Sequence, residues 1–264
     1  MTDYTALIVQ TSAPVARITL NRPDTRNAFD EVVIAELARA FAQAGAAPGV
    51  RAVVLAAGGP AFCAGANLNW MRRAADFTRE QNVQDANGLA AMLRAIHDCP
   101  KPVIARVQGD AYAGGMGLVA ACDMAVAAEG AGFCLSEVKI GLIPATISPY
   151  VIRAMGARAA QRYFLTGERF SAAEALRIGF VHEVAAPDAL DARIDALLKP
   201  LLAAGPAAVQ ACKRLLAEVA GREINAPLIA RTVEIIADIR SSAEGREGVQ
   251  SFLQKRKPGW LAPA

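Results

Sequence analysis

The sequence predicts an α/β fold in which strand and helix units repeat, followed by a helical C-terminal region. Apolar strand-like runs at residues 52–55 and 103–105 each lead into a glycine-bearing segment and then a helix-like stretch. Beyond about Pro187 the strand signal disappears. A chain of 264 residues that is 54% hydrophobic can bury a large core. We therefore expect a mixed core over residues 1–200 and a helical region over 201–264.

The first elements follow from alternation and capping. Residues 7–10 and 15–20 alternate in polarity, which predicts two strands joined by a turn at residues 12–14. Asp30 can cap a helix, because apolar residues recur at helical spacing after it until about Gly45.

The later elements repeat one order of strand, glycine turn, helix and strand, and helices alone then follow. Proline or glycine separates most of these segments. In chain order we expect a strand at 52–55, a glycine segment at 62–68, a polar stretch at 72–82, a helix at 82–98, a strand at 103–107, a glycine segment at 109–117, a helix at 115–122, a strand at 124–127, and helices at 188–203, 206–220 and 225–242.

Charge and cysteine content exclude several classes of protein. The net charge of +3 is small and its carriers are dispersed, apart from residues 255–257, so we expect no nucleic-acid partner. The five cysteines form no CxxC pair, which indicates buried free thiols in a reducing cytoplasm and no metal site. The longest apolar run, residues 117–128, is interrupted by Asp123 and too short to cross a membrane, and the first residues lack a secretory signal.

The two glycine segments suggest a catalytic arrangement. A strand, a glycine turn and a helix start together present unpaired backbone N–H groups at the positive end of a helix dipole. Two such turns side by side could hold a developing oxyanion, and Glu137, which follows the second segment, could move a proton beside it.

The chain carries a series of short motifs over essentially its whole length: LNRP at 20–23, Arg-Asn-Ala at 26–28, FCAGA at 62–66, AGG at 113–115, ACD at 121–123, EVKIG at 137–141 and FLQKRKP at 252–258. In this order the motifs resemble those of the crotonase family, the enoyl-CoA hydratase/isomerase superfamily. The resemblance implies a spiral of ββα units with a C-terminal helical region that covers the active site and packs across subunits in a homotrimer or homohexamer. It also implies an acyl-CoA thioester as substrate, with no separate cofactor because coenzyme A is part of that substrate.

The resemblance also assigns roles to residues. It places the two N–H groups that hold the thioester oxygen at Ala66 and Gly114, and it matches Glu137 to the second catalytic glutamate. The first glutamate of the family's hydratases falls on Gly117, which cannot transfer a proton. The substrate-binding positions implied are Arg26, Ala28, Ala64, Ala66, Asn67, Leu68, Gly114, Gly115, Pro144 and Lys255.

Three functions remain open because only one carboxylate is present. Hydration of a 2-enoyl-CoA is the leading hypothesis, and segments 66–71 and 136–145 look most like the methylglutaconyl-CoA hydratase branch, used in leucine and isoprenoid breakdown. Single-glutamate members are often Δ3-Δ2 enoyl-CoA isomerases, which is the first alternative. A non-catalytic acyl-CoA binder is the second. Side chains that could assist Glu137 in hydration are Asp110, Tyr112, Asn67 and Tyr150.

Other polar residues have simpler explanations. We expect Asp123 to be a buried carboxylate that accepts backbone hydrogen bonds. His97 and His182 lack a nucleophile partner and are interpreted as structural. Cys63 lies beside the first glycine segment, but no nearby base argues for a nucleophile.

Overall fold

The computed structural model describes residues 4–261. A six-stranded sheet runs through the core in the order β1-β2-β3-β4-β6-β9, and a three-stranded sheet has the order β5-β7-β8. The strands are β1 (Leu7–Ser12), β2 (Val15–Leu20), β3 (Ala52–Ala57), β4 (Val103–Val107), β5 (Ala111–Tyr112), β6 (Met124–Ala128), β7 (Gly132–Cys134), β8 (Phe170–Ser171) and β9 (Glu183–Ala185).

The described residues also form ten α-helices. Short 3-10 turns add Pro23–Thr25, Ser136–Ile140, Pro187–Ala189 and Gly259–Leu261. The helices are α1 (Glu31–Ala46), α2 (Leu68–Ala74), α3 (Arg79–His97), α4 (Gly114–Ala121), α5 (Ser148–Thr166), α6 (Ala172–Arg177), α7 (Leu190–Ala203), α8 (Pro206–Val219), α9 (Ala226–Ser241) and α10 (Ala243–Leu253).

The repeat of two strands and a helix is present in the middle of the chain. In β4-β5-α4 and again in β6-β7-α5, the first strand joins the six-stranded sheet and the second joins the three-stranded sheet. Except for the antiparallel pair β1-β2, neighbouring strands of the large sheet are parallel. This repeat agrees with the α/β fold of ββα units that the resemblance implied.

Both faces of the large sheet are covered, which explains its continuous apolar strands. Along β3, Val53 and Leu55 belong to the main core, whereas Ala52 and Val54 belong to a second cluster. The second cluster is closed by α7, whose Leu190, Ile194 and Leu198 are buried. Successive residues of a strand point to opposite faces, so a strand buried on both faces has no polar alternation.

Most predicted elements are confirmed. Asp30 caps α1 by accepting hydrogen bonds from Val32 N and Val33 N. The strands at 15–20, 103–107 and 124–127 and the helices near 115–122, 206–220 and 225–242 lie where the sequence placed them.

The segment before α3 and the end of the chain differ from the predictions. The stretch at 72–82 is not irregular throughout, since α2 extends to Ala74 and α3 begins at Arg79 rather than Asn82. Thr78 and Gln81 form a capping box there, and this hydrogen-bonded start sets the true beginning of α3. Helix α10 was not among the predicted elements, and Ser242 caps it by accepting a hydrogen bond from Gly245 N. Among residues 4–261 no helix is long and apolar enough to span a membrane.

Candidate active site

Strand register brings the two glycine segments and the glutamate segment to one sheet edge. Cys63 forms a parallel bridge with Ala111, and Ala111 pairs in parallel with Phe133. Tyr112 N donates to Cys63 O at 2.9 Å, and the pair Tyr112–Cys134 extends the register by one residue. Because all three segments run in the same direction, they leave the small sheet at the same end.

The three predicted catalytic positions follow directly from that edge. Ala66 comes three residues after Cys63, Gly114 three after Ala111, and Glu137 four after Phe133. The structure therefore brings together the backbone donors and the carboxylate that the sequence named. They lie at the C-terminal ends of parallel strands, where open α/β sheets generally bind ligands.

The N–H groups of Ala66 and Gly114 donate to no protein acceptor within residues 4–261. Gly114 is the first residue of α4, so its N–H has no partner inside the helix. Around Ala66, Phe29 N donates to Gly65 O and Asn67 N donates to Phe29 O, both at 2.9 Å. These two bonds leave the N–H of Ala66 pointing away from the Phe29 strand segment.

Two unusual backbone conformations form the turns. Gly65 has φ +89°, where glycine is tolerated at low cost. Ala113, directly before Gly114, has φ 49° and ψ −123°, which a residue with a side chain seldom adopts. Its N–H donates to Cys134 O at 2.8 Å. Strained residues of this kind tend to occur at functional sites held by their surroundings.

The glycines after Ala113 are required by close packing. A Cβ at Gly114 would lie 2.2 Å from Phe29 Cζ, and one at Gly115 would lie 2.5 Å from Cys63 O. Residue 114 must therefore be glycine, since the Phe29 ring occupies the space where a side chain would stand.

Glu137 lies in the 3-10 turn Ser136–Ile140 and is half-buried. Its Oε2 is buried and has no hydrogen-bond partner among the described residues. Burial raises the pKa of the Glu137 carboxyl, because the charged form loses hydration, and a hydrogen bond from its own backbone N–H partly offsets this. A buried carboxyl with a raised pKa and a free oxygen is a candidate for proton transfer.

The candidate helpers of Glu137 have other partners. Asp110 Oδ1 accepts hydrogen bonds from Gly132 N at 2.8 Å and Arg169 Nη2 at 3.1 Å. Tyr112 Oη accepts one from Arg169 Nε at 3.1 Å. Both side chains therefore fix the small sheet, and neither is hydrogen-bonded to Glu137.

Asn67 and Tyr150 are similarly engaged. Asn67 Oδ1 accepts from Asn69 N at 2.9 Å and so caps α2. Tyr150 packs edge-on against His97, with ring centroids 5.4 Å apart. Both rings line a cavity of about 690 Å³ whose lining contains none of the three catalytic candidates.

Several predicted substrate-binding residues lie in or beside the first glycine segment. Arg26 is exposed with φ 53° and Ala28 is buried, while Ala64 N donates to Arg26 O at 3.0 Å. This bond places the 26–28 loop beside the first glycine segment. Leu68 opens α2 and is 69% exposed.

The remaining candidates lie farther along the chain. Pro144 is buried in the segment between Glu137 and α5. Lys255 is exposed after α10 and has φ 55°.

One residue that organises the site, Asn27, was named from the sequence only as part of the motif at 26–28. Asn27 is 2% exposed and has φ 55°. Its Nδ2 donates to Gly58 O at 2.8 Å and Ala61 O at 2.9 Å, and its Oδ1 accepts from Arg22 N. A buried asparagine in a left-handed conformation is a signal of loop organisation, but the contacts are 31 and 34 residues distant.

Asp123 accepts a backbone hydrogen bond as expected, but its side chain is half-buried rather than buried. Asp123 Oδ2 accepts from Val103 N at 2.7 Å and pairs with Lys213 Nζ at 2.6 Å. His182 Nδ1 accepts from Ala125 N. Burial raises the pKa of the Cys63 thiol to about 12, which leaves it without nucleophilic character near neutral pH.

The cysteines are all free, but they are not all buried. Cys63, Cys99 and Cys134 are buried and Cys122 is half-buried, whereas Cys212 is exposed on α8. The expectation of buried thiols is therefore wrong for Cys212, because no element of the described chain covers that face of α8.

The fold and the paired backbone donors define an acyl-CoA enzyme of the crotonase type. The chain belongs to the enoyl-CoA hydratase/isomerase family, which matches residues 10–263. It is 44% identical to a solved enoyl-CoA hydratase from Shewanella pealeana, with a TM-score of 0.95 and coverage of 97% and 96% of the two chains. An enoyl-CoA hydratase from Mycobacterium smegmatis is 38% identical, with a TM-score of 0.92 and coverage of 98% and 100%. The (E)-benzylidenesuccinyl-CoA hydratase of Thauera aromatica is 30% identical over 96% of this chain and 97% of its own.

Proposed function

We propose that the protein hydrates a branched 2-enoyl-CoA of the methylglutaconyl type. One observation carries the proposal: Ala66 and Gly114 present free N–H groups at the sheet edge from which Glu137, whose Oε2 has no hydrogen-bond partner among the described residues, also emerges. The substrate named for the Thauera relative is itself a branched acyl thioester. This supports a branched acyl group here.

The proposed reaction uses the two N–H groups as an oxyanion hole. The Glu137 carboxylate takes a proton from water as the water oxygen bonds to C3. The electrons of the double bond move to the thioester oxygen, which the two N–H groups stabilise as an enolate. The Glu137 carboxyl then returns a proton to C2, so that H and OH are added across C2=C3. One such donor is typically worth about 3–4 kcal/mol in the transition state.

The decisive test compares Glu137→Gln with Glu129→Gln, a matched control at an exposed position. With 3-methylglutaconyl-CoA in ¹⁸O-water, the wild type should consume the enoyl thioester and incorporate ¹⁸O into the product. Glu137→Gln should lower kcat by about 10²- to 10⁴-fold with CoA-ester binding retained, and the control should not. Full activity of Glu137→Gln would reject the mechanism.

A Δ3-Δ2 isomerase is the second candidate, since Gly117 leaves one carboxylate to act on both carbons. In that reaction Glu137 would remove a proton from one carbon and return it to another, with no water consumed. A product with a shifted double bond and no ¹⁸O would establish isomerisation instead. Tight binding without turnover across an acyl-CoA panel would indicate a binding protein.

We also propose that the protein is a cytoplasmic homotrimer or homohexamer in which residues 201–264 cover the site. The free thiols support the compartment. No residue of α9 is buried within the described chain, and its Ile229, Val233 and Ile236 are about half exposed. A second copy would cover this apolar face. Light scattering should give three or six times the 27.6 kDa chain mass, and a monomer would contradict this.

A further inference from the structure

Gly117 lies one helical turn beyond the oxyanion donor Gly114 in α4. Residues three apart in a helix share a face, so a side chain at 117 would stand on the same side as Gly114. This is where a second carboxylate would be attached if the chain carried one.

The space for that side chain is filled. A Cβ at Gly117 would lie 2.3 Å from Ile147 Cγ2 and 2.8 Å from Ile147 Cβ, with Leu93 Cδ2 at 3.5 Å. Ile147 is 2% exposed and Leu93 is fully buried. Both neighbours are hydrocarbon, and contacts below 3.0 Å require one partner to shift.

Hydrogen bonds from the start of α5 fix the position of Ile147. Ile147 is the residue before that helix, and its carbonyl oxygen accepts hydrogen bonds from Tyr150 N and Val151 N, each at 3.1 Å. Its β-branched side chain has few alternative rotamers, so rotation cannot readily free the space beside Gly117.

We propose that Ile147 is the specificity-determining residue that makes this a one-carboxylate site. It occupies the place of a side chain at 117 and gives α4 a hydrocarbon neighbour one turn beyond Gly114. A glutamate at 117 is therefore excluded by packing, and Glu137 alone handles the proton at C2. Restoring a second carboxylate requires change at both positions. The role of Glu137 in this inference rests on the proposed function.

The packing part is tested by thermal denaturation of Gly117→Ala, Ile147→Ala and the double variant. Gly117→Ala should lower Tm by about 5 °C or more in the wild-type background. In the Ile147→Ala background the same change should lower Tm by less than about 1 °C or raise it, because the methyl group refills the space. Gly88→Ala is the control, since its Cβ would lie 3.9 Å from Ile34 Cγ2, and its effect should be the same in both backgrounds. An equal effect of Gly117→Ala in the two backgrounds would overturn the proposal.

The chemical part is tested by hydrogen–deuterium exchange at C2 of butyryl-CoA, a saturated thioester that needs only enolate formation. The pH–rate profile of the wild type should show one carboxyl ionisation. Gly117→Glu/Ile147→Ala should show a second, and Gly117→Glu alone should be unstable or show one. A second ionisation in Gly117→Glu alone would show that the space was open and overturn the proposal, as would a folded double variant with only one.

These readouts separate this inference from the proposed function. Absence of hydration by the wild type would reject hydration but would leave both the Tm coupling and the C2 exchange measurable. If the Glu double variant fails to fold, the Tm coupling of the alanine variants decides the question.

Discussion

Replacing Gly114 by alanine perturbs the oxyanion donor without removing its N–H. The added Cβ would lie 2.2 Å from Phe29 Cζ and 2.7 Å from Phe29 Cε1. An ordinary contact begins at 3.4 Å, so the shortfall is about 1.2 Å. Phe29 is 1% exposed and cannot turn into solvent. The start of α4, which carries the donor, must therefore take up part of the displacement.

A misplacement of about 1 Å in a catalytic group can reduce the rate by about 10²-fold, or about 2.7 kcal/mol in the barrier. We expect Gly114→Ala to lower kcat by that factor while the KM for the CoA ester changes less than about threefold, because the proposed partner of this donor is the thioester oxygen alone. The assay is steady-state loss of enoyl-thioester absorbance. Gly88→Ala, which has room for its Cβ, is the control.

A second variant tests whether contact with the Phe29 ring causes the loss of kcat in Gly114→Ala. Phe29→Leu removes the ring edge that Gly114→Ala would meet, so the double variant should recover at least about tenfold of the lost kcat. Wild-type kcat in Gly114→Ala would refute the reasoning. Failure of Phe29→Leu to restore activity in a folded double variant would show that the ring does not position the donor.

Three further predictions concern stability and ionisation. Burial raises the pKa of Glu137, so kcat/KM should fall in acid with a midpoint above the usual glutamate range. The unfolding free energy of Glu137→Gln should exceed that of the wild type by about 1 kcal/mol at pH 8, and this difference should shrink as the pH falls through the raised pKa. A pH-independent difference in urea melts would contradict this. Asp123→Asn and Lys213→Met should show a coupling of about 1–2 kcal/mol in a double-mutant cycle, because half-buried Asp123 joins Lys213 of α8 to Val103 N of β4. A coupling below about 0.3 kcal/mol would exclude a stabilising ion pair. Asn27→Ala should lower the unfolding free energy by about 2–4 kcal/mol, since Arg22 N and Gly58 O lose their partner while Ala61 O keeps the bond from Gln108 Nε2. A loss below about 0.5 kcal/mol would show that water replaces the two lost bonds.

The elements that sequence analysis predicted are those with a local signature. Alternation identified β1 and β2, and Asp30 marked the start of α1, because each depends on residues within a few positions. Strands of two or three residues, such as β5 and β7, are too short for any periodicity to show. The helix α10 contains Gly245 and Gly248, whose low helix propensity conceals it, and the Ser242 cap offsets them.

The site likewise contains some residues that local motifs identify and some contacts that no local signature predicts. The glycine turns and Glu137 could be named from motifs, because their residue types carry the chemistry. The contact of Ile147 with Gly117 joins positions 30 residues apart, and Arg169 reaches Asp110 across 59 residues. Neither contact has a sequence signature, since each follows from the way α5 and β8 pack onto the earlier units.

The central claim is that the N–H groups of Ala66 and Gly114 stabilise an enolate whose proton Glu137 transfers. The most direct measurement is deuterium incorporation at C2 of butyryl-CoA in D₂O, followed by mass spectrometry with the wild type and Glu137→Gln. The wild type should exchange one C2 proton stereospecifically, and Glu137→Gln should bind the thioester but exchange it at least about 10²-fold more slowly. Equal exchange rates in the two proteins, or none in the wild type despite binding, would contradict the account.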